Sequence, residues 1–217
     1  MSNYPQTKKV NVTDSINGIK VSDPYRWLEN SGDPEVKNWV ENQNKYTDSV
    51  LKNNLFETFS TELVKNFKVV NFSNPIPVNG RYFYTERQPD EDQAVLYMKK
   101  GLDESPIELF NPNGKRNGNT VSIDYWSPFH TGKYVVYAIS EGGDEMATLY
   151  IKDTDTNQEL SEKIIHCRHP SVQWLPDDLA FFYTRNARPG SVPKSEEHLH
   201  TKIYFHTLGN NLDNDNL

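Results

Sequence analysis

The residues of this chain that could take part in chemistry include its serines, its six histidines and its one cysteine. A serine hydrolase often carries its nucleophile on a tight turn flanked by glycines, with a base within hydrogen-bond reach. The nearest candidate is Ser191 in the run Pro189–Pro193, where it follows Gly190 but stands between two prolines. Such a polar run predicts a surface loop, so we assign no catalytic residue in this chain.

Two histidine pairs have spacings that could bring imidazoles together. His198 and His200 would share one face of a strand, and His166 and His169 would share one turn of a helix. Neither pair is accompanied by a third ligand or by a CxxC or HExxH pattern, so the sequence predicts no metal site. The pair Gly142-Gly143 fits neither phosphate-binding glycine pattern, so it predicts a hairpin turn and no bound cofactor.

Composition limits the class of protein. The chain has 217 residues, 35% hydrophobic and 12% aromatic, which indicates a globular protein and not a disordered one. Its net charge of -7 argues against a nucleic-acid partner, because phosphate binding needs a basic surface. No apolar run reaches the length of about 18 residues needed to span a membrane, so no membrane partner is expected. The single Cys167 fits a reducing compartment, so we expect a cytoplasmic protein.

The elements that would position these residues fall into two parts, and the first is helical. Residues 4–32 predict an extended arm with a turn at Asn17-Gly18. Asp33 followed by Pro34 predicts a helix start, and apolar residues from Val36 to Leu51 recur at helical spacing. A second helix is predicted over residues 56–67. We expect the apolar faces of both helices to belong to a core.

The second part repeats one hairpin. In the best-defined copy, Lys133–Ser140 predicts a buried strand, Gly142 begins a turn, and Ala147–Lys152 predicts the returning strand. Weaker copies join residues 81–85 to 94–98 and residues 179–183 to 202–206. Equivalent positions are roughly 50 residues apart, which is typical of the blades of a β-propeller.

Each predicted blade is preceded by a turn, at residues 78–80, 127–132 and 175–178. The residues alone therefore predict a mainly β chain with a helical segment at residues 1–70 and about three propeller blades at residues 71–217. Propellers host many unrelated functions, so this reading leaves the function open.

Motifs spread along the chain also resemble the prolyl oligopeptidase family of serine peptidases, in order and in spacing. In the helical part these are Gly18, Asp23–Glu29 and Val40–Lys45. In the β part they are Arg81–Tyr84, Val95–Tyr97, Trp174 and Leu199–Gly209. The resemblance extends from about residue 4 to residue 209.

The resemblance implies the N-terminal portion of an enzyme with two domains. Residues 1–70 would belong to an α/β-hydrolase peptidase domain, whose remainder would be their partner, and residues 71–217 would be blades 1–3 of a seven-bladed propeller. The implied activity is hydrolysis of small peptides on the carboxyl side of proline, with the propeller restricting access. The family's Ser, Asp and His would lie beyond this chain, so these 217 residues alone should be inactive.

Two features of the third blade carry an implied role in substrate binding. Counting back from Trp174 places His169 where the family has an aromatic residue that contacts substrate. A histidine there would make the wall of the substrate pocket more polar and titratable. The polar run Asn186–His198 matches a mobile loop at the family's domain interface. The same residues are equally compatible with a histidine that faces solvent and a surface loop that has no role in substrate binding.

The alternative to a peptidase is a non-catalytic, truncated propeller that acts as a binding or interaction module. The residues of the chain fit this alternative equally well, since the helices and blades need no chemistry. Only the resemblance favours the peptidase.

Overall fold

The computed structural model describes residues 4–114, 116 and 118–215. Contacts between Cα atoms divide the chain into two compact units, Met1–Phe67 and Lys68–Leu217. Within the described ranges, every helix is too short or too polar to cross a membrane.

The first unit is built on the predicted helices. Helix α1 (Pro34–Leu51) begins where expected, because the Asp33 carboxylate accepts a hydrogen bond of 2.7 Å from the Glu35 amide. Helix α2 (Asn54–Phe67) starts two residues before the predicted range of residues 56–67.

The arm before α1 folds into a hairpin and is not simply extended. Strands β1 (Thr13–Ile16) and β2 (Ile19–Ser22) pair through a turn in which Asn17 and Gly18 have φ of 51° and 79°. Two consecutive positive φ values give the tight turn whose twist matches that of paired strands. A short 3₁₀ helix, Arg26–Glu29, follows.

Side chains of α1 hold the arm. Trp27 packs edge to face on Trp39, with ring centroids 6.4 Å apart, and its indole donates to the Lys8 carbonyl. Gln43 interrupts the apolar face of α1 because its amide donates to the Pro5 carbonyl. The Trp27 cluster therefore packs within its own unit.

The expectation that both helical faces belong to a core is wrong for the described chain. Val36 is the one buried residue of α1, and α2 has none among its described positions. Phe59 and Phe67 are 60% and 66% exposed. The apolar spacing predicts a face that needs a partner, but it cannot say whether the chain supplies that partner.

The second unit consists of three antiparallel sheets in chain order. The first sheet contains β3 (Asn71–Phe72), β4 (Ile76–Val78), β5 (Arg81–Arg87), β6 (Val95–Lys99) and β7 (Ile107–Phe110). The middle sheet contains β8 (Val121–Pro128), β9 (Tyr134–Glu141), β10 (Met146–Asp153) and β11 (Gln158–Arg168). The last sheet contains β12 (Val172–Trp174), β13 (Ala180–Arg185) and β14 (Lys202–Thr207). All three predicted hairpins are confirmed, as β5–β6, β9–β10 and β13–β14.

Strand β9 is buried on both faces. Val135, Tyr137 and Ile139 pack into a cluster with first-sheet residues such as Phe83. The alternate residues Val136 and Ala138 pack into a second cluster, shared with the last sheet. Because side chains alternate along a strand, β9 joins the two cores, and each neighbouring sheet covers one face of the middle sheet.

The turns that precede the inner strands connect neighbouring sheets. The Asn79 side chain donates to the Thr131 carbonyl at 3.4 Å, between the first and middle sheets. The Asp178 carboxylate accepts from the amides of His130 and Thr131 at 3.0 and 2.8 Å, between the middle and last sheets. Asp178 is only 4% exposed and has φ of 56°. The repeated turns of the sequence are therefore joints between sheets.

A buried polar cluster fixes the end of the described chain to the last sheet. Asp215 lies 2.7 Å from Nδ1 of the fully buried His206 and accepts a 2.7 Å hydrogen bond from the Tyr183 hydroxyl. The carboxylate of Glu162 accepts from the Gly209 amide at 2.7 Å. Burial is the main cause that raises the pKa of Tyr183, so the phenol stays a donor to Asp215 at neutral pH.

We predict that Asp178→Ala lowers the free energy of unfolding by about 2 kcal/mol, because two amides lose the anionic acceptor that a buried carboxylate supplies. Asp178→Asn should cost about half as much, since asparagine keeps one acceptor and tolerates positive φ. The neighbouring Asp177→Ala is the control, because within the described ranges the exposed Asp177 carboxylate accepts only one hydrogen bond, from the Leu179 amide, and its loss should cost less than about 1 kcal/mol. Chemical denaturation measures these free energies of unfolding. Equal losses of stability for Asp177→Ala and Asp178→Ala would contradict the role of Asp178 in joining the middle and last sheets.

Candidate functional site

His169 lies between two cavities at one end of the middle and last sheets. The first has a volume of about 500 Å³ and the second about 490 Å³. The first is lined by Ser122, Asp124, Ser140, Gly143, Asp144, Glu145, His169 and Pro170. The second is lined by Arg168, His169, Ser171, Thr184, Asn186, His198 and Thr201. The structure thus brings His169 together with both ends of the Asn186–His198 loop.

The backbone turns sharply at His169, just after the end of β11. Its φ is 48°, and its side chain is 77% exposed. Its Nε2 atom lies 3.9 Å from the Glu145 carboxylate, which also accepts from the Arg168 guanidinium at 3.1 Å. That hydrogen bond holds the pKa of Glu145 below its usual range. The imidazole therefore faces open solvent beside a carboxylate that is already paired.

Sequence reasoning missed a hydroxyl and carboxylate cluster on the floor of the first cavity. Oδ1 of Asp124 accepts from the hydroxyls of Ser122 and Ser140, both at 3.0 Å. Ser122 and Ser140 are direct partners across β8 and β9. The spacing of Ser122 and Asp124 by two residues was the available signal, but without the strand pairing it does not identify Ser140.

The Asn186–His198 loop is anchored by one side chain. Asn186 is 1% exposed, and its amide donates to the His198 carbonyl at 3.2 Å and to the Thr201 hydroxyl at 3.0 Å. Its carbonyl oxygen accepts from the Arg168 amide at 3.1 Å. Asn186 therefore ties both ends of the loop to the residue before His169.

Ser191 lies within this loop, as predicted. Its hydroxyl donates to the Arg188 carbonyl at 2.6 Å, and the preceding Gly190 has φ of 76°. The hydroxyl closes a turn, which is a structural role.

Neither histidine pair lies on the kind of element that its spacing suggested, since His198 and His200 both precede β14. His166 lies in β11 with φ of 63°, so it does not share a helical turn with His169. Desolvation lowers the pKa of His166. His200 lies 2.7 Å from the Glu196 carboxylate. Within the described ranges, no group of three or more histidine, cysteine or acidic side chains is placed to hold a metal ion.

Cys167 is fully buried next to these residues. Burial raises the pKa of its thiol to about 12, so the thiol stays protonated at neutral pH. Cys167 therefore acts as a small core residue, packed in the cluster between the middle and last sheets.

Comparison with known proteins gives one family. Residues 4–217 match the family model described as "Prolyl oligopeptidase, N-terminal beta-propeller domain". The prolyl endopeptidase of Elizabethkingia meningoseptica is 34% identical over 218 residues, which is 99% of this chain and 30% of that protein. The prolyl endopeptidase of Dictyostelium discoideum is 25% identical over 261 residues, 95% of this chain and 34% of that protein.

Solved structures agree. One from a study of two prolyl endopeptidases has a TM-score of 0.85 and 31% identity, covering 99% of this chain and 32% of that one. Prolyl oligopeptidase B of Galerina marginata, solved with a 35mer substrate, has a TM-score of 0.76 at 23% identity, covering 99% and 33%, and shows likeness of fold alone. The predicted mainly β fold and its propeller blades are confirmed. The chain spans about a third of the length of these structures.

We predict that Asn186→Ala loosens the loop without unfolding the sheets, because three hydrogen bonds of one buried side chain are lost. Trypsin should cut after Lys194 at least about tenfold faster, since local opening that costs 1.4 kcal/mol less is ten times more populated. Mass spectrometry of the fragments measures this. The exposed Asn66→Ala is the matched control, and unchanged cutting in Asn186→Ala would contradict the anchor.

Proposed function

Because this chain belongs to the prolyl oligopeptidase family, we propose that it is the N-terminal portion of a serine endopeptidase that hydrolyses small peptides on the carboxyl side of proline. The observation that carries the proposal is the match along nearly the whole chain to proteins named prolyl endopeptidase, at up to 34% identity. The chain covers 30% of the length of those relatives, and the proposal concerns the whole protein.

In this proposal the two units serve different domains. Residues 1–70 contribute to an α/β-hydrolase peptidase domain, and the exposed apolar face of α2 supports this, since such a face needs a covering surface. Residues 71–217 form blades 1–3 of a seven-bladed propeller. The middle sheet has the four-stranded antiparallel meander of a propeller blade.

The chemistry is acyl transfer from an activated serine with an oxyanion hole, supplied by residues outside this chain. The 217 residues alone are inactive in this proposal, and their share is to restrict entry of large substrates. The environment of Ser191 supports this division, because its hydroxyl is engaged by a backbone carbonyl. We place the protein in the cytoplasm, which the single buried Cys167 supports.

His169 and the Asn186–His198 loop form the part of this chain that meets substrate in the proposal. Their shared cavity of about 490 Å³ has the size of a small-ligand site. The exposed imidazole of His169 would provide a polar wall in place of an aromatic ring. The loop would gate entry, as lids do.

The gene product that contains this chain should cleave a short blocked peptide after proline and lose that activity to a serine-directed phosphonate. A peptide with alanine in place of proline is the control and should be cleaved far more slowly. Mass spectrometry of the products reads the bond that is cut. Cleavage that is insensitive to the phosphonate would contradict the assignment as a serine peptidase. Absence of any cleavage would favour a non-catalytic binding module.

His169→Ala should lower kcat/KM for such a peptide by about threefold to tenfold, the loss expected for one contact of about 1 kcal/mol. His169→Phe should restore most of it if the residue is a wall of the pocket. His200→Ala is the control, because His200 contacts Glu196 and lies outside both cavities beside His169. Equal values of kcat/KM for wild type and His169→Ala would remove His169 from the site while leaving the peptidase assignment standing.

A further inference from the structure

A third cavity, separate from those beside His169, lies at the end of the last sheet. Its volume is about 580 Å³. It is bounded by Arg185 at the end of β13, by Lys202 and Tyr204 of β14, and by Arg188 and Ser191 of the loop between these strands. Arg185 is the buried member of this group, with 6% exposure.

The charge of Arg185 has no counterion among the described residues. No described carboxylate lies within ion-pair distance of its guanidinium, and its buried Nε atom has no hydrogen-bond acceptor there. A buried charge without a partner is strongly unfavourable, and so is a buried donor without an acceptor. Buried arginines are normally paired, which favours an anion from elsewhere as the partner of Arg185.

Aromatic rings hold the guanidinium in place without supplying an acceptor. Its central carbon lies 4.3 Å from the ring centroid of Tyr204 and 5.9 Å from that of Tyr183. These two rings stack on each other, with centroids 5.6 Å apart. Such contacts fix the plane of the guanidinium and stabilise its charge in part. Its in-plane N–H groups remain available for a planar anion.

The neighbouring charges favour an anion as well. Arg185 and Lys202 are direct partners across β13 and β14, and like charges in that arrangement repel. Glu196 also lines the cavity, but its carboxylate is held by His200 at 2.7 Å. Arg188 is paired with Asp213 at 2.7 Å, which leaves Arg185 and Lys202 as the cations without a described partner.

We propose that this cavity binds a carboxylate group, with the guanidinium of Arg185 as a planar donor and Lys202 as a second charge. A carboxylate fits because its two oxygens match the fork of an arginine. The size of the cavity accommodates more than the carboxylate itself, so the ligand is a small peptide or organic acid that carries one. The inference does not depend on peptidase activity.

Isothermal titration calorimetry on the gene product that contains this chain tests the site with two probes. N-acetyl-Gly-Ala with a free carboxylate should bind, and the same dipeptide with a carboxamide end should bind at least about tenfold more weakly, because the ionic hydrogen bonds are lost. Arg185→Gln should weaken the acid about tenfold or more and leave both probes equal. Equal binding of the two probes to wild type, or no binding of either, overturns the proposal.

The matched control is Arg116→Gln. Arg116 also lies over a tyrosine, 5.2 Å from the Tyr150 ring centroid, but it has a carboxylate partner in Glu141 at 3.7 Å. This variant should bind the acid as wild type does.

A second measurement covers the case in which Arg185→Gln fails to fold. NMR of the wild-type protein labelled with ¹⁵N-arginine should show one arginine Nε–H resonance that shifts when the acid is added and not when the amide is added. Lys202→Gln should weaken the binding of the acid that this shift reports. Preference for inorganic phosphate over the acid would overturn the proposal. A structure of the gene product in which a carboxylate of its own chain pairs with Arg185 would also overturn the proposal.

Discussion

The burial of β9 on both faces is the constraint on which the second unit depends. Six consecutive residues of this strand, from Val135 to Ser140, are buried, and successive apolar side chains enter different clusters. A strand of this kind cannot be satisfied by one sheet, because half of its apolar surface would stay in water. The first and last sheets are therefore required by the residues of the middle one.

The candidate functional site depends on this arrangement through the strand ends. The β9–β10 turn presents Glu145, and the end of β11 presents Arg168 and His169 beside it. The last sheet then supplies Asn186, whose hydrogen bond from the Arg168 amide joins the loop to the middle sheet. His169 and the loop meet because two sheets meet. Arg185 ends β13, the central strand of the last sheet, where Tyr204 covers it.

The sequence predicted those features in which a local signal and the final environment agree. The three hairpins have apolar runs and turn residues, and Asp33 has the side chain that caps α1. Strands β3, β4, β7, β8, β11 and β12 were missed, because they are mixed in polarity or short. The 11 residues of β11 pair with β10 through two shifts in register, which hide its alternation.

Features that depend on residues distant in the chain could not be predicted from the sequence. Nothing local marks Asp178 as the acceptor for a turn some 50 residues earlier, although its place in a repeated turn was noted. Nothing marks Arg185 as buried, since arginine is usually exposed. The exposure of α2 was misjudged for a related reason, because amphipathic spacing shows the need for a partner and not its location.

The most direct test of the account compares two adjacent residues of β9. Val135→Ala and Val136→Ala should each lower the free energy of unfolding by about 2 kcal/mol, because each removes buried methyl groups from a different cluster. The exposed Val69→Ala should change it by less than about 0.5 kcal/mol. Similar losses at residues 135 and 136 support a strand packed between two sheets. Tolerance of either substitution would contradict it, since a sheet with one covered face protects only every second residue.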